Sequence, residues 1–205
     1  MLPIDLHSAE AMVLAAAEIA LRDQPQGRWE ITMRFEGLKL MPIATRLMIS
    51  LQQKGITTLL VWPDVGATAL AKSINPEIAD QIFSINDLIA TSRRKEDDEV
   101  LLVVAPDPSD YSQFESLCTN HSGAVLLLNG RLESTTVGIG SVARERRRGF
   151  LSLWRKAYWL QPLEGGALMR IHPGEWNLFR SEQDGYRLVE SFEQQPDAES
   201  IAAAL

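Results

Sequence analysis

Two apolar runs, Val100–Ala105 and Ala124–Leu128, each end in polar residues able to hold a ligand. Asp107 and Ser109 follow the first run, and Asn129 and Arg131 follow the second. Asp64 and Gly66 stand in the same place after a third run, Thr57–Trp62, and Glu36-Gly37 after a fourth. If these runs are parallel strands, all of these residues lie outside the carboxyl ends, where open α/β sheets hold ligands. Several also open a helix, whose free N–H groups and dipole favour anions. The chemistry is then a crevice for a phosphate or carboxylate, such as a phosphorylated metabolite or a nucleotide. Capping is the competing account. Asp64, Asp107 and Ser109 fit as N-caps and Gly66 as a turn residue, and carboxylates would repel an anion. For Asp64, Asp107 and Ser109 the capping account is the better one. Asn129 and Arg131 differ, because a strand-to-helix loop has no need of an Arg. Its planar five-donor fork suits a carboxylate or phosphate. It could equally pair with Glu133 or Asp107 and brace the loop, and both readings stay open.

The sharpest charge feature is basic. Between 144 and 156 stand Arg144, Arg146, Arg147, Arg148, Arg155 and Lys156 against the single acid Glu145. One reading is an electropositive patch for lipid headgroups, phosphate or an acidic partner. The other is a solvated helix face balanced by acidic neighbours. Trp154 and Trp159 are expected to face the core.

Other chemistries find no set of residues. His7, His121 and His172 lie in separate elements without metal-ligand spacing. No G-x-S-x-G elbow and no phosphate-binding GxxxxGK[ST] loop occurs. Gly138-Ile139-Gly140 only superficially resembles a dinucleotide fingerprint, and a tight bend before a helix explains it better. The single Cys118 excludes an intrachain disulfide and reads as a buried, inert thiol. No catalytic constellation, metal or cofactor is expected. With 20 Lys and Arg against 27 Asp and Glu, the net charge of -7 argues against non-specific nucleic-acid binding. No run approaches the length of a membrane span, and the acidic N-terminus does not read as a secretory signal. A soluble intracellular protein is expected.

The elements that must position these residues read in order. Asp5 or Ser8 caps a first helix with Leu6, Ala9, Val13, Ala16, Ala17 and Ala20 on one face. Trp29–Phe35 alternates apolar and polar, which predicts a strand with one face less buried, near an edge. Leu40–Gln53 is a helix closed by Gly55. Strand Thr57–Trp62 leads through Pro63–Gly66 into a helix stopped at Asn75-Pro76. Ile82–Ile85 is a short strand and Asp87–Thr91 a helical turn. Ser92–Asp98 is a charged loop. The two central runs then enclose a helix that buries Tyr111, Phe114, Leu117 and Cys118, a βαβ unit. After a connection over Leu132–Ser141, the pattern predicts a helix over Val142–Lys156. Four strands follow in series: Ala157–Leu163, Ala167–His172, Glu175–Arg180 and Tyr186–Phe192. Their short glycine-containing links mark hairpins, and a last helix starts near Asp197. The 45% apolar content suffices for a substantial core. The expectation is one α/β domain over 1–205: a three-layer, Rossmann-like, mostly parallel sheet (1–131), extended over 132–205 by a helix and a C-terminal antiparallel meander.

An ordered set of short motifs carries a family resemblance. It includes Leu2-Pro3, Leu40-Met41-Pro42, Trp62-Pro63-Asp64-Val65-Gly66-Ala67 and Val104-Ala105-Pro106. It continues with Leu127-Leu128-Asn129-Gly130-Arg131-Leu132-Glu133, Val137-Gly138-Ile139-Gly140, Tyr158–Leu163 and Pro173-Gly174-Glu175-Trp176. Taken together they resemble an uncharacterised domain family of cyanobacteria and plastids. That family includes the low-photosystem-II-accumulation assembly proteins and the C-terminal extension of a plastid adenylate kinase. Gly130 departs from it, since many members carry Pro there, so this loop is less rigid. The resemblance supplies no catalytic residues. It implies a photosynthetic source, residence in cytoplasm or stroma with peripheral contact at the thylakoid membrane, and a non-enzymatic accessory role. Protein partners of the photosynthetic membrane would then meet the basic patch in photosystem II assembly. The alternative is a binder of, or a cryptic enzyme for, a phosphorylated metabolite or nucleotide at the carboxyl ends of the parallel strands.

Overall fold

The structure, a computed structural model, describes residues 1–91, 98–132 and 141–205. The first half alternates helix and strand: α1 (Leu6–Asp23), β1 (Arg28–Met33), α2 (Leu40–Gln53), β2 (Thr58–Trp62) and α3 (Val65–Ile74). A 3-10 segment (Pro76–Gln81) leads to β3 (Ile82–Ser84) and α4 (Ile85–Ala90). The central unit is β4 (Val100–Val104), α5 (Tyr111–Thr119) and β5 (Val125–Leu128). Then come α6 (Ser141–Ser152), β6 (Arg155–Leu163), β7 (Gly166–Ile171), β8 (Trp176–Glu182), β9 (Gly185–Phe192) and α7 (Ala198–Ala204).

Among the described residues the strands form one sheet in the order β3-β2-β4-β5-β1-β6-β7-β8-β9. The pairings from β3 to β6 are parallel, and those from β6 to β9 are antiparallel. This is the parallel sheet with an antiparallel C-terminal meander that the sequence pattern implies. Every residue of β2, β4 and β5 is buried. Alternate positions feed opposite faces, so an uninterrupted apolar run is what a doubly covered strand requires. Leu102, Val104, Leu126 and Leu128 join the core under α1, α2 and α3, which we call face A. Leu101, Val103, Val125 and Leu127 join the core under α4, α5 and α6 on face B. The small residues Ala9, Ala16, Ala17 and Ala20 of α1, all 0% exposed, let that helix close on the sheet.

Helix starts follow local chemistry. Asp5 accepts from the Ser8 N–H and Ser8 accepts from the Asp5 N–H, a reciprocal capping box. Asp64 caps α3, Ser84 caps α4 and Asp197 caps α7.

Three expectations need correction. β1 is not near an edge. It lies between β5 and β6 in the middle of the sheet, with Glu30 only 8% and Thr32 only 2% exposed. Its alternation comes from polar side chains satisfied by one another, not from solvent. The helix expected over Val142–Lys156 ends at Ser152, and Arg155 and Lys156 open β6. Pairing of Trp29 with Arg155 and of Glu30 with Lys156 extends the ladder into those residues, overriding their helix propensity. The N-cap of α5 is Asp110, not Asp107 or Ser109. The loop expected at Ser92–Asp98 lies outside the described residues except for Asp98. So does the Gly138-Ile139-Gly140 bend.

Candidate functional site

β1 and β5 are neighbours whose crossovers leave toward opposite faces. The helix after β1 packs on face A and the helix after β5 packs on face B. Such a reversal opens a crevice at the carboxyl ends of the two strands. Here it is a cavity of about 1040 Å³, bordered by the ends of β1, β4, β5 and β6.

The floor of this crevice is polar in the middle of the sheet. Register places Glu30 between Leu127 and Lys156, and Thr32 beside Trp159, all on face B. The Lys156 ammonium is paired with Glu30, and both side chains are close to nine-tenths buried. The Thr32 hydroxyl donates to Glu30 Oε1 at 2.9 Å. Lys156 Nζ and the Arg34 guanidinium each lie 5.1 Å from the Trp159 ring centroid, a cation–π arrangement. Face A is one continuous core, whereas face B is two apolar clusters. One holds Phe114, Phe150 and Trp154, and the other holds Trp159, Trp176 and the contacts of α7. The polar line Glu30-Lys156-Thr32 separates them. An ion pair this buried is weak evidence for stability, because desolvation offsets most of its attraction.

The strand ends facing the crevice are tightly turned. Ala105 after β4 has φ 48° and Asn129 after β5 has φ 52°, the left-handed region unusual for side-chain-bearing residues. The Asn129 N–H continues the ladder to the Ile31 carbonyl at 2.8 Å, and the Arg131 N–H bonds the Pro106 carbonyl at 2.9 Å. Trp154 borders the crevice, and its buried indole N–H has no acceptor among the described residues.

Of the candidates read from sequence, Glu36, Asn129, Arg131 and Asp107 border the crevice, joined by Lys156 from the basic run. The Asn129 carboxamide is bonded to the Met33 backbone, so it shapes the crevice rather than presenting free groups to a ligand. Asp107 Oδ1 accepts from the Ser109 N–H and hydroxyl at 2.7 and 2.6 Å. Those bonds, the hydroxyl's first, hold its carboxyl below the usual range. Asp64 and Gly66 are not part of the crevice, since Asp64 accepts from the Ala67 N–H at 2.7 Å as the cap of α3.

The basic run is divided in the same way. Arg146 pairs with Glu115 at 2.9 Å. Arg147 donates to the Leu132 carbonyl at 2.9 Å and lies 4.3 Å from the Tyr111 ring. These two fasten α6 to α5, and Arg146 is exposed in its pair, as are Arg144, Arg148 and Arg155.

Sequence reasoning missed Glu30, Thr32 and Arg34. The signal was present as a period-two pattern in β1, read as an edge. Among the described residues no group of His, Cys, Asp and Glu could hold a metal ion. No helix there is long and apolar enough to cross a membrane.

The fold and crevice define a class: an open, Rossmann-like α/β domain with a polar switch-point cleft and an antiparallel extension. More specifically, the chain belongs to the family described as a domain of unknown function (DUF1995), which matches residues 3–203. A search of the curated proteins finds no match.

Proposed function

We propose that the protein binds a small anion, a carboxylate or phosphate of a metabolite or nucleotide, in the switch-point crevice. The observation that carries this reading is the polar line on the central strands, topped by Arg34. Arg34 has no ion-pair partner among the described residues, and its guanidinium lies 5.1 Å from the Trp159 ring centroid, as the Lys156 ammonium does. Lys156 is neutralised by Glu30, so Arg34 supplies a positive charge and a planar fork beside Arg131, with Glu36 and Asp107 as the opposing charges of the lining. The cavity, about 1040 Å³, is at the upper limit of ligand sites, roughly 300–1,000 Å³. The test is thermal unfolding against inorganic phosphate, nucleotides and sugar phosphates at millimolar concentration. A ligand that binds the native state raises the midpoint. Stabilisation lost in Arg34→Ala supports the reading. No shift with any member of the panel overturns it.

A second reading makes the protein an accessory factor that binds partner proteins in photosystem II assembly. It is supported by the exposed Arg144, Arg148 and Arg155 and by the family resemblance. Its test is a pull-down from solubilised photosynthetic membranes beside an Arg144→Glu/Arg148→Glu control. Enrichment of photosystem subunits that survives the control would leave the patch without a role.

A further inference from the structure

A second cavity, of about 620 Å³, lies beyond the β1–α2 loop from the crevice and is built differently. Its floor is Ile43, Leu160 and Ala167, each 5% exposed or less. Its mouth carries Ile4, Phe35 and Tyr186, which are 89%, 38% and 55% exposed. Apolar groups held this open to water in a concave shape mark a binding site rather than ordinary surface.

The charges around the mouth narrow the occupant. Four charged residues border the cavity: Asp5, Glu36, Lys39 and Arg46. Asp5 is used as the cap of α1. Arg46 makes two bonds to Glu10, at 2.8 and 2.6 Å. Lys39 has no ion-pair partner among the described residues. It stands at the N-cap of α2, where no side chain caps the helix and no acid occupies the first turn. A free ammonium beside unsatisfied N–H groups favours a negative group at one end of an otherwise apolar ligand. Glu36, exposed on the same loop, is the opposing charge.

We infer that this cavity binds a single hydrocarbon chain with an anionic head, a long-chain carboxylate. The chain lies against Ile43, Leu160 and Ala167, and the carboxylate faces Lys39. This cavity shares the wall of Phe35, Glu36, Leu38 and Pro162 with the crevice, but Ile43, Ala167 and Lys39 belong to it alone, so the inference does not rest on anion binding in the crevice.

The test is titration of the full chain with the fluorescent fatty acid cis-parinaric acid, displaced by palmitate, octanoate or hexadecanol. The expected result is saturable one-to-one binding, with palmitate displacing the probe far better than octanoate, by more than about tenfold, because each methylene adds apolar burial. Lys39→Glu, a surface change, should weaken palmitate several-fold and leave hexadecanol unchanged. Glu36→Gln should strengthen palmitate. Ala167→Trp should fill the cavity and abolish binding, with circular dichroism checking the fold. Arg34→Ala, in the crevice, should change nothing. No saturable binding, no dependence on chain length, or affinity unaltered in both Lys39→Glu and Ala167→Trp overturns the inference. So does binding to lipid vesicles without binding to monomeric fatty acid, or a dimer that Ala167→Trp dissociates, since the occupant is then a membrane or a second copy.

Discussion

The Asn129 carboxamide is bonded on both sides to one residue of the neighbouring strand. Its Oδ1 accepts from the Met33 N–H at 2.6 Å, and its Nδ2 donates to the Met33 carbonyl at 2.8 Å. The side chain thus replaces the next backbone partner where β5 turns away with φ 52°. Asn tolerates that conformation better than other side-chain-bearing residues. Asn129→Ala removes both bonds and keeps the strained φ. Leaving part-buried backbone groups unpaired costs about 1–3 kcal/mol each at most, so a total loss of about 2–4 kcal/mol is expected in urea unfolding. Asn129→Gly relieves the φ alone and should cost less. Asn129→Asp should resemble the Ala variant, because a carboxylate cannot donate to the Met33 carbonyl.

Arg28 holds the far end of the same unit. Its guanidinium donates to the carbonyls of Gly123 at 2.7 Å, Cys118 and His121 at 2.8 Å, and Gln26 at 3.0 Å. The bonds to Cys118 and His121 fasten the end of α5 and the turn after it to β1, and desolvation by burial lowers the pKa of Arg28. Removing a charged fork that satisfies several part-buried carbonyls should cost about 2–4 kcal/mol in Arg28→Ala. Arg28→Lys keeps the charge but not the planar fork, and should recover less than half of that loss. Chemical denaturation of both variants checks the difference.

The Glu30–Lys156 pair separates a structural role from a binding role. Lys156→Met leaves a carboxylate buried beside Thr32, and breaking a buried pair from one side costs about 3–5 kcal/mol. The double change Glu30→Leu/Lys156→Met should be near neutral, since apolar replacements of buried pairs often are. The double variant should nonetheless lose the anion-dependent rise in melting temperature. Retention of that rise would place the ligand elsewhere than on the polar line.

Alkaline pH should weaken the fold from the α5 side. Burial pushes the Cys118 thiol up to about 12, with the Arg28 charge opposing. The unfolded thiol ionises near about 8.5. Its contribution is therefore complete below that value and is lost as pH rises from there toward the folded value. The slope reaches at most about 1.4 kcal/mol per pH unit for one proton. Burial also raises Tyr158, which adds to the decline at higher pH. Urea midpoints measured from pH 7 to 11 should fall above about pH 9, and Cys118→Ala should start lower but fall less steeply at first. In the native protein Cys118 should react with thiol reagents only as fast as the chain opens.

Much of the architecture was legible because it rests on local rules. Unbroken apolar runs in β2, β4 and β5 demand two covered faces, and Asp5, Asp64 and Asp197 bring their acceptors to helix starts within the next three residues. The glycine links after β6 and β8 set the meander by turn geometry. The site was legible only in part. Asn129, Arg131 and Asp107 follow from the rule about strand ends, and all three border the crevice.

Glu30 and Thr32 were not legible, and Lys156 only as one charge of the basic run, because a polar residue on a strand reads as solvent-facing until its partner is known. Lys156 lies 126 residues from Glu30, and no local pattern links them. Strand order decided their meeting: β6 passes over β1 and lies on its other side, which turns an apparent edge into the centre of the sheet. The same pairing moved Arg155 and Lys156 out of a helix and into a strand. Local composition thus determined which segments become helix or strand and which ends carry polar groups. Long-range pairing alone decided which of those groups share a desolvated space, and burial makes their charges interact strongly.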